Sequence, residues 1–245
     1  MDFSVLAKSY NTLQYEHQLK TILSTFFKDF SHEGLTKFDL HQIVNDALIE
    51  HYQGEETLKF RIADFFRSED YVAAFEVRAN NSRADFLVIN GDTKCFEIKS
   101  KNDSLKRLPR QTKDYCDVFE FNTVVTDIRH VELVEKITAP HYGIWYFDRD
   151  ERIIHRNATL SPCLASESQL GLMTKGELKS AFGLTDKIQI QRDNDSQYIN
   201  NALKTVLKAR YAKRWSFICT NWDQILPIDL QFFFNSNVSP KLVYR

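Results

Sequence analysis

Asp85, Glu97 and Lys99 carry the side chains best suited to chemistry in this chain of 245 residues. Two carboxylates and an ammonium on neighbouring strands suit work at a phosphodiester. Mg²⁺ and Mn²⁺ take hard oxygen ligands: one or two carboxylates, a main-chain carbonyl, waters and a phosphate oxygen. A bound cation acidifies its water and stabilises charge on phosphorus, and an adjacent lysine can orient that water or offset the negative charge.

An acidic-x-Lys triplet is common by chance, and Glu177-Leu178-Lys179 is an internal control. That triplet falls in a predicted helix, where residues two apart do not face each other. In a strand, Glu97 and Lys99 share a face. Parity then constrains the hairpin. A two-residue turn at Asn90-Gly91 would put Asp85 and Glu97 on opposite faces. A three-residue or bulged turn over Asn90 to Asp92 pairs 85 with 97 and puts both on one face. The second form is predicted, with Ala84, Phe86, Val88, Phe96 and Ile98 forming the apolar reverse face.

The elements that must position these residues follow from periodicity. The first ~50 residues read as helical, with Asp39 a cap for a helix through Leu48, and Glu55 to Phe66 continues the helical spacing. Strands are predicted at Val72–Val77, Ala84–Ile89, Lys94–Lys99, Thr123–Thr126 and Gly143–Phe147, with a helix over Leu105–Phe119. Further helices are predicted over Lys175–Phe182 and Tyr198–Arg214, and Phe232 to Phe234 form an apolar docked segment. This order implies an α/β or α+β core. The organisation expected is a helical extension over 1–50, a core over 51–150, and a mostly helical extension over 151–245 packed on that core.

The segment after Lys99 is basic. From Lys99 to Lys113 there are six basic residues and one acid. Lys101, Lys106, Arg107, Arg110 and Lys113 could track a phosphate backbone, or simply form a solvated helix face. Gln111 and Tyr115, four apart, share a helix face turned toward the strands.

Asp85, then Glu97-x-Lys99 after a hairpin, then Gln111-x-x-x-Tyr115 on the next helix, resembles the PD-(D/E)XK, restriction-endonuclease-like nuclease superfamily, and its RecB-like branch in particular. Ala84 stands where the motif's proline would be. The resemblance covers residues 50 to 147. It implies a four-stranded mixed sheet flanked by helices. Asp85, Glu97 and the Ile98 carbonyl would bind Mg²⁺ or Mn²⁺, Lys99 would stand beside the attacking water, and Gln111 and Tyr115 would position nucleophile and phosphate. A further ligand would come from Glu55 or Glu56, with Glu56 preferred. The function implied is a metal-dependent nuclease hydrolysing DNA, in restriction, phage defence or DNA maintenance. The alternatives are a non-cleaving nucleic-acid- or protein-binding module, or a phosphoester hydrolase acting on nucleotides.

Other signals are weaker. Glu76 could point into the same cleft or pair with Arg78 or Arg83, and Cys95 shares the parity of Glu97. Lys204, Lys208, Arg210, Lys213 and Arg214 form a second basic run, a DNA-contacting element or a solvated helix. Cysteines at 95, 116, 163 and 219 and seven scattered histidines show no metal-ligand spacing, so buried structural thiols are expected. Net charge is −1, so contact with nucleic acid requires local basic patches. No leader or apolar run of ~20 residues is read, which makes a cytoplasmic protein without a membrane partner the expectation. DNA is the expected partner, with a homodimer or partner subunit possible.

Overall fold

The computed structural model describes residues 2–52, 54–68, 70–149 and 151–245. Three helices open the chain: α1 (Phe3–Ser9), α2 (Glu16–Phe26) and α3 (Lys37–His51). They bury Leu6, Leu19, Leu23, Leu40, Val44 and Leu48 against one another. The cap of α3 is Thr36, whose hydroxyl accepts from the Asp39 N–H, while the Asp39 carboxylate reaches back to the Thr36 N–H. Asp39, predicted as the cap itself, is the third helical residue of a capping box.

Helix α4 (Glu55–Phe65) leads into β1 (Val72–Ala79), β2 (Ser82–Asn90) and β3 (Asp92–Lys99). A turn of 3-10 helix at Leu105–Arg107 precedes α5 (Leu108–Cys116), followed by β4 (Phe121–Thr126), α6 (Val131–Ile137), β5 (Gly143–Asp148) and β6 (Glu151–Arg156). The chain ends in α7 (Ser166–Gly171), α8 (Lys175–Phe182), α9 (Lys187–Asp193), α10 (Ser196–Thr220), α11 (Leu230–Ser236) and α12 (Pro240–Val243).

Among the described residues the strands form one six-stranded mixed sheet in sequential order, β1 to β6. The first three strands are antiparallel, β3-β4-β5 parallel, and β6 antiparallel to β5. The α+β class stands, but the four-stranded sheet is corrected to six strands. The unforeseen strand is β6, an edge strand with no buried residue among its six. Without a buried face it carries no alternation to read. Helices α6, α7, α9 and α12 were also unforeseen, and α10 extends past both ends of the predicted Tyr198–Arg214.

Helices α4, α10 and α11 cover the face that holds Phe86, Phe96, Ile98 and Val125. Helices α5 and α6 cover the other, where Leu108, Val124, Val134 and Ile144 meet. Strand β3 is therefore enclosed on both sides, and Cys95 to Lys99 are all buried. The β2–β3 hairpin pairs Asn90 with Asp92 and Phe86 with Phe96, turning on Gly91 at φ +72°. Glycine adopts that left-handed conformation without a Cβ penalty. The register is the one parity required, with Asp85 beside Glu97 on the α5 face.

Candidate functional site

Strands β1, β2 and β3 carry a row of acids at matching positions: Glu76, Asp85 and Glu97. They line an open cleft of about 550 Å³ together with Glu55 and Lys99. One carboxylate oxygen each from Glu55, Glu76 and Asp85 lie within 4.8 Å of one another. Such convergence needs an offsetting positive charge, and the Lys59 ammonium, 2.5 Å from Glu55 and 2.9 Å from Glu76, supplies part of it. Glu76 has φ +56° in the middle of a strand. That left-handed conformation costs a non-glycine residue roughly 1–2 kcal/mol. Strain of this kind, held by the surrounding ladder, gathers at functional positions.

Each acid has its own partners. Asp85 Oδ2 accepts from the Ile98 backbone N–H at 2.5 Å. Burial, then the charge of Glu97, lifts the Asp85 carboxyl well above its ordinary range, against the pull of Lys59 and of the Ile98 N–H. Glu97 is raised as well, chiefly by burial, although Lys99, Tyr115 and Gln111 all favour its charged form. Lys99 Nζ donates to Glu97 Oε1, which Gln111 Nε2 also reaches at 2.6 Å. The Tyr115 hydroxyl stands 2.5 Å from Glu97 Oε2 and 2.7 Å from the Arg83 carbonyl oxygen. One hydroxyl hydrogen cannot serve both acceptors, so a proton on Glu97 Oε2 would complete the chain from Glu97 through Tyr115 to Arg83. Cys95, beneath them, is a buried thiol whose pKa is raised by burial and then by Glu97 and Asp85.

A residue missed in the sequence adds to this. Lys59 of α4 is 2% exposed and contacts Glu55 at 2.5 Å, Glu76 at 2.9 Å and Glu56 at 3.7 Å. Burial alone would lower its pKa, but Glu56, Glu55 and Asp85 outweigh that and raise it. Its signal was the i, i+4 spacing from Glu55, obscured because an interior lysine among Leu58 and Ile62 looks like an ordinary helix-surface charge. Five carboxylates (Glu55, Glu56, Glu76, Asp85, Glu97) thus surround two ammonium groups, Lys59 and Lys99, and the floor stays acidic.

The predicted site residues are brought together unequally. Asp85, Glu97, Ile98, Lys99 and Gln111 line the cleft, and Tyr115 anchors it from α5. Glu55, rather than Glu56, joins the Asp85 cluster. Glu56 lies in an adjoining recess with Lys59 and Arg214, and burial raises its carboxyl. Glu76 serves both of its expected roles, lining the cleft and standing 3.9 Å from Arg83. Of the basic segment, Arg107 and Arg110 reach the cleft rim, while Lys101, Lys106 and Lys113 are exposed alongside. The second basic run is partly engaged internally: Lys204 meets Glu120 at 3.0 Å, and Arg210 binds Glu177 at 2.6 Å. Glu177 also closes the capping box of α8 with Thr174, so the control triplet has a structural role.

The donor set fits a hard divalent cation. The oxygens of Glu55, Glu76 and Asp85 match Mg²⁺ or Mn²⁺ in type. Gln111 Oε1 is buried without a hydrogen-bond partner among the described residues. A buried acceptor in that state wants a donor or a cation's hydration shell.

Fold and site together define a mixed α+β protein with an acidic cleft rimmed by arginines. The chain belongs to the bacteriophage P4 protein cII family, whose model matches residues 49–233. The match takes in the whole cleft. Protein cII of Enterobacteria phage P4 is 34% identical over 119 residues, 45% of this chain. The matched part spans only 45% of that relative's own length. A solved structure, the SPO1766 protein of unknown function from Silicibacter pomeroyi, aligns with 56% of this chain and 92% of its own at 18% identity. Its TM-score of 0.37 is too low to carry an argument.

These matches correct the expectation of a PD-(D/E)XK, RecB-like nuclease. The family is that of protein cII, and no nuclease or hydrolase stands among the matches. The DNA-hydrolysing activity and the role in restriction, phage defence or DNA maintenance drawn from the resemblance are withdrawn with it. The motif residues do meet in space, yet a few short motifs on a hairpin and helix specify a cleft, not a reaction. No helix among the described residues is long and apolar enough to cross a membrane.

Proposed function

We propose that the cleft is a divalent-cation-dependent binding site for the phosphate backbone of DNA. Mg²⁺ or Mn²⁺ is held by Glu55, Glu76 and Asp85, and Glu97, Lys99, Gln111 and Tyr115 keep the floor in position. Arg107 and Arg110 on the rim meet the phosphates. The observation that carries this reading is the convergence of Glu55, Glu76 and Asp85 in a cleft that Arg107 and Arg110 also line. Alone, the acids would repel a phosphate; with a cation between, they and the phosphate oxygens become ligands of the same ion.

The test is calorimetric titration of the chain with Mg²⁺ and Mn²⁺, then fluorescence anisotropy of labelled single- and double-stranded DNA with the cation or with chelator. Cation binding that disappears in Asp85→Asn is expected, as is DNA affinity that rises with the cation. Arg107→Ala/Arg110→Ala should weaken DNA binding and flatten the slope of log K against log salt by roughly 2. DNA affinity identical in chelator and in Mg²⁺ would overturn the reading.

A further inference from the structure

A second cluster of ligand-type side chains lies outside the cleft. Cys116 closes α5, His141 stands in the turn before β5, and Cys163 lies in the loop between β6 and α7. One ligand atom from each is within 4.8 Å of the others, and Cys116 Sγ is 3.3 Å from His141 Nε2. Cys116 is buried, His141 half-buried and Cys163 exposed, so the cluster is partly open to solvent.

We propose that Cys116, His141 and Cys163 form a binding site for a thiophilic divalent cation of the Zn²⁺ type, with a fourth position open to water or an outside ligand. Zn–S bonds of ~2.3 Å and Zn–N bonds of ~2.0 Å set tetrahedral donors roughly 3.5–3.8 Å apart. Cys116 and His141 stand within a few tenths of an ångström of that spacing, and the distances to Cys163, under 4.8 Å, need a closure of at most about 1 Å. Two sulfurs and an imidazole select Zn²⁺ over Mg²⁺, the opposite preference from the all-oxygen cleft.

The donors are held by their surroundings, as metal ligands are when outer groups orient them. Ser161 Oγ donates to the Cys116 carbonyl at 2.8 Å and lies 3.1 Å from Cys116 Sγ. Backbone hydrogen bonds from Ser161 to Glu120, from Ala165 to Asp117, and from Thr159 to His141 fasten the loop that carries Cys163. The Cys116 donor is thus set at the end of the helix that brings Tyr115 to the acidic cleft. In sequence the three ligands stand 25 and 22 positions apart, beyond any spacing rule for a contiguous zinc motif.

The test is titration of the reduced chain with Co²⁺ in saturating Mg²⁺, which occupies oxygen-ligand sites. One equivalent of Co²⁺ should produce a thiolate-to-cobalt charge-transfer band with the strong visible absorption of a tetrahedral ion, and Zn²⁺ should displace it. Cys163→Ser, at an exposed position, should weaken Co²⁺ binding at least tenfold and reduce the band to that of a single thiolate, while circular dichroism stays unchanged. His141→Ala should weaken binding at least tenfold, and Cys219→Ser should leave it intact. A wild-type chain that shows no charge-transfer band, or a Cys163→Ser variant whose band and Co²⁺ affinity are unchanged, overturns the site.

Discussion

Two carboxylates, the buried Asp229 and the half-buried Asp85, show how differently one functional group can be used. Asp229, just before α11, is fully buried and accepts hydrogen bonds from the hydroxyls of Thr12 at 2.7 Å, Tyr10 at 2.8 Å and Tyr244 at 2.8 Å. Its donors are neutral, short and drawn from both ends of the chain. Asp85 faces Glu55, Glu76 and Glu97 across an open cleft, with one backbone N–H and Lys59 to offset them. Satisfied by hydroxyls, a buried carboxylate fastens segments together. Crowded by other carboxylates, Asp85 takes the role of cation ligand in the function proposed above.

The largest effect is expected from Asp229→Ala. Three hydroxyls lose their acceptor, two of them on buried residues, and the urea midpoint should report a loss of about 3 kcal/mol with cation affinity unchanged. Asp85→Asn should do the opposite. Cation affinity, read by calorimetry, should fall by roughly 10–100-fold or more. Stability without the cation should hold or rise, because a repulsive neighbour of Glu97 has gone. A large loss of stability in Asp85→Asn would erase the distinction drawn between the two residues.

A smaller effect is expected from pH. The Asp229, Asp85 and Glu97 carboxyls are all raised, first by burial, so the folded chain binds protons more tightly than the unfolded one. Their contribution is full below the unfolded carboxylate range near pH 4 and is lost as pH climbs through the raised folded values. Mg²⁺ should recover the share owed to Asp85, so the rise in Tm that it causes should grow with pH and vanish in Asp85→Asn. The smallest effect tests the strained residue: Glu76→Gly should be more stable than Glu76→Ala by about 1 kcal/mol in chemical denaturation, since both lose the Lys59 contact but only glycine accepts φ +56° freely.

The cleft was more legible than the sheet. Asn90-Gly91-Asp92 and the alternation on either side determine a register, and register determines which faces Asp85 and Glu97 take. Gln111 and Tyr115 followed from helical spacing, and both reach Glu97. The choice between Glu55 and Glu56 was not legible, because neighbouring helix residues point about 100° apart and only tertiary packing decides which meets the strands. Lys59 and the Cys116–His141–Cys163 cluster were hidden for a related reason: their partners lie on elements whose relative placement local spacing does not encode. The activity was read wrongly because a motif assembled correctly in space was taken to name a reaction.

The fastening at Asp229 bears on where this protein can be cut. The family match runs from residue 49 to 233, yet Tyr10, Thr12, His41 and Asn45 precede it and Tyr244 follows it. A fragment trimmed to the matched span would keep the Asp229 carboxylate and lose every hydroxyl that neutralises its burial. The chain behaves as a belt whose buckle sits outside the homologous cloth. Shortening either end should therefore loosen the other, and a stable unit built for study has to retain both flanks.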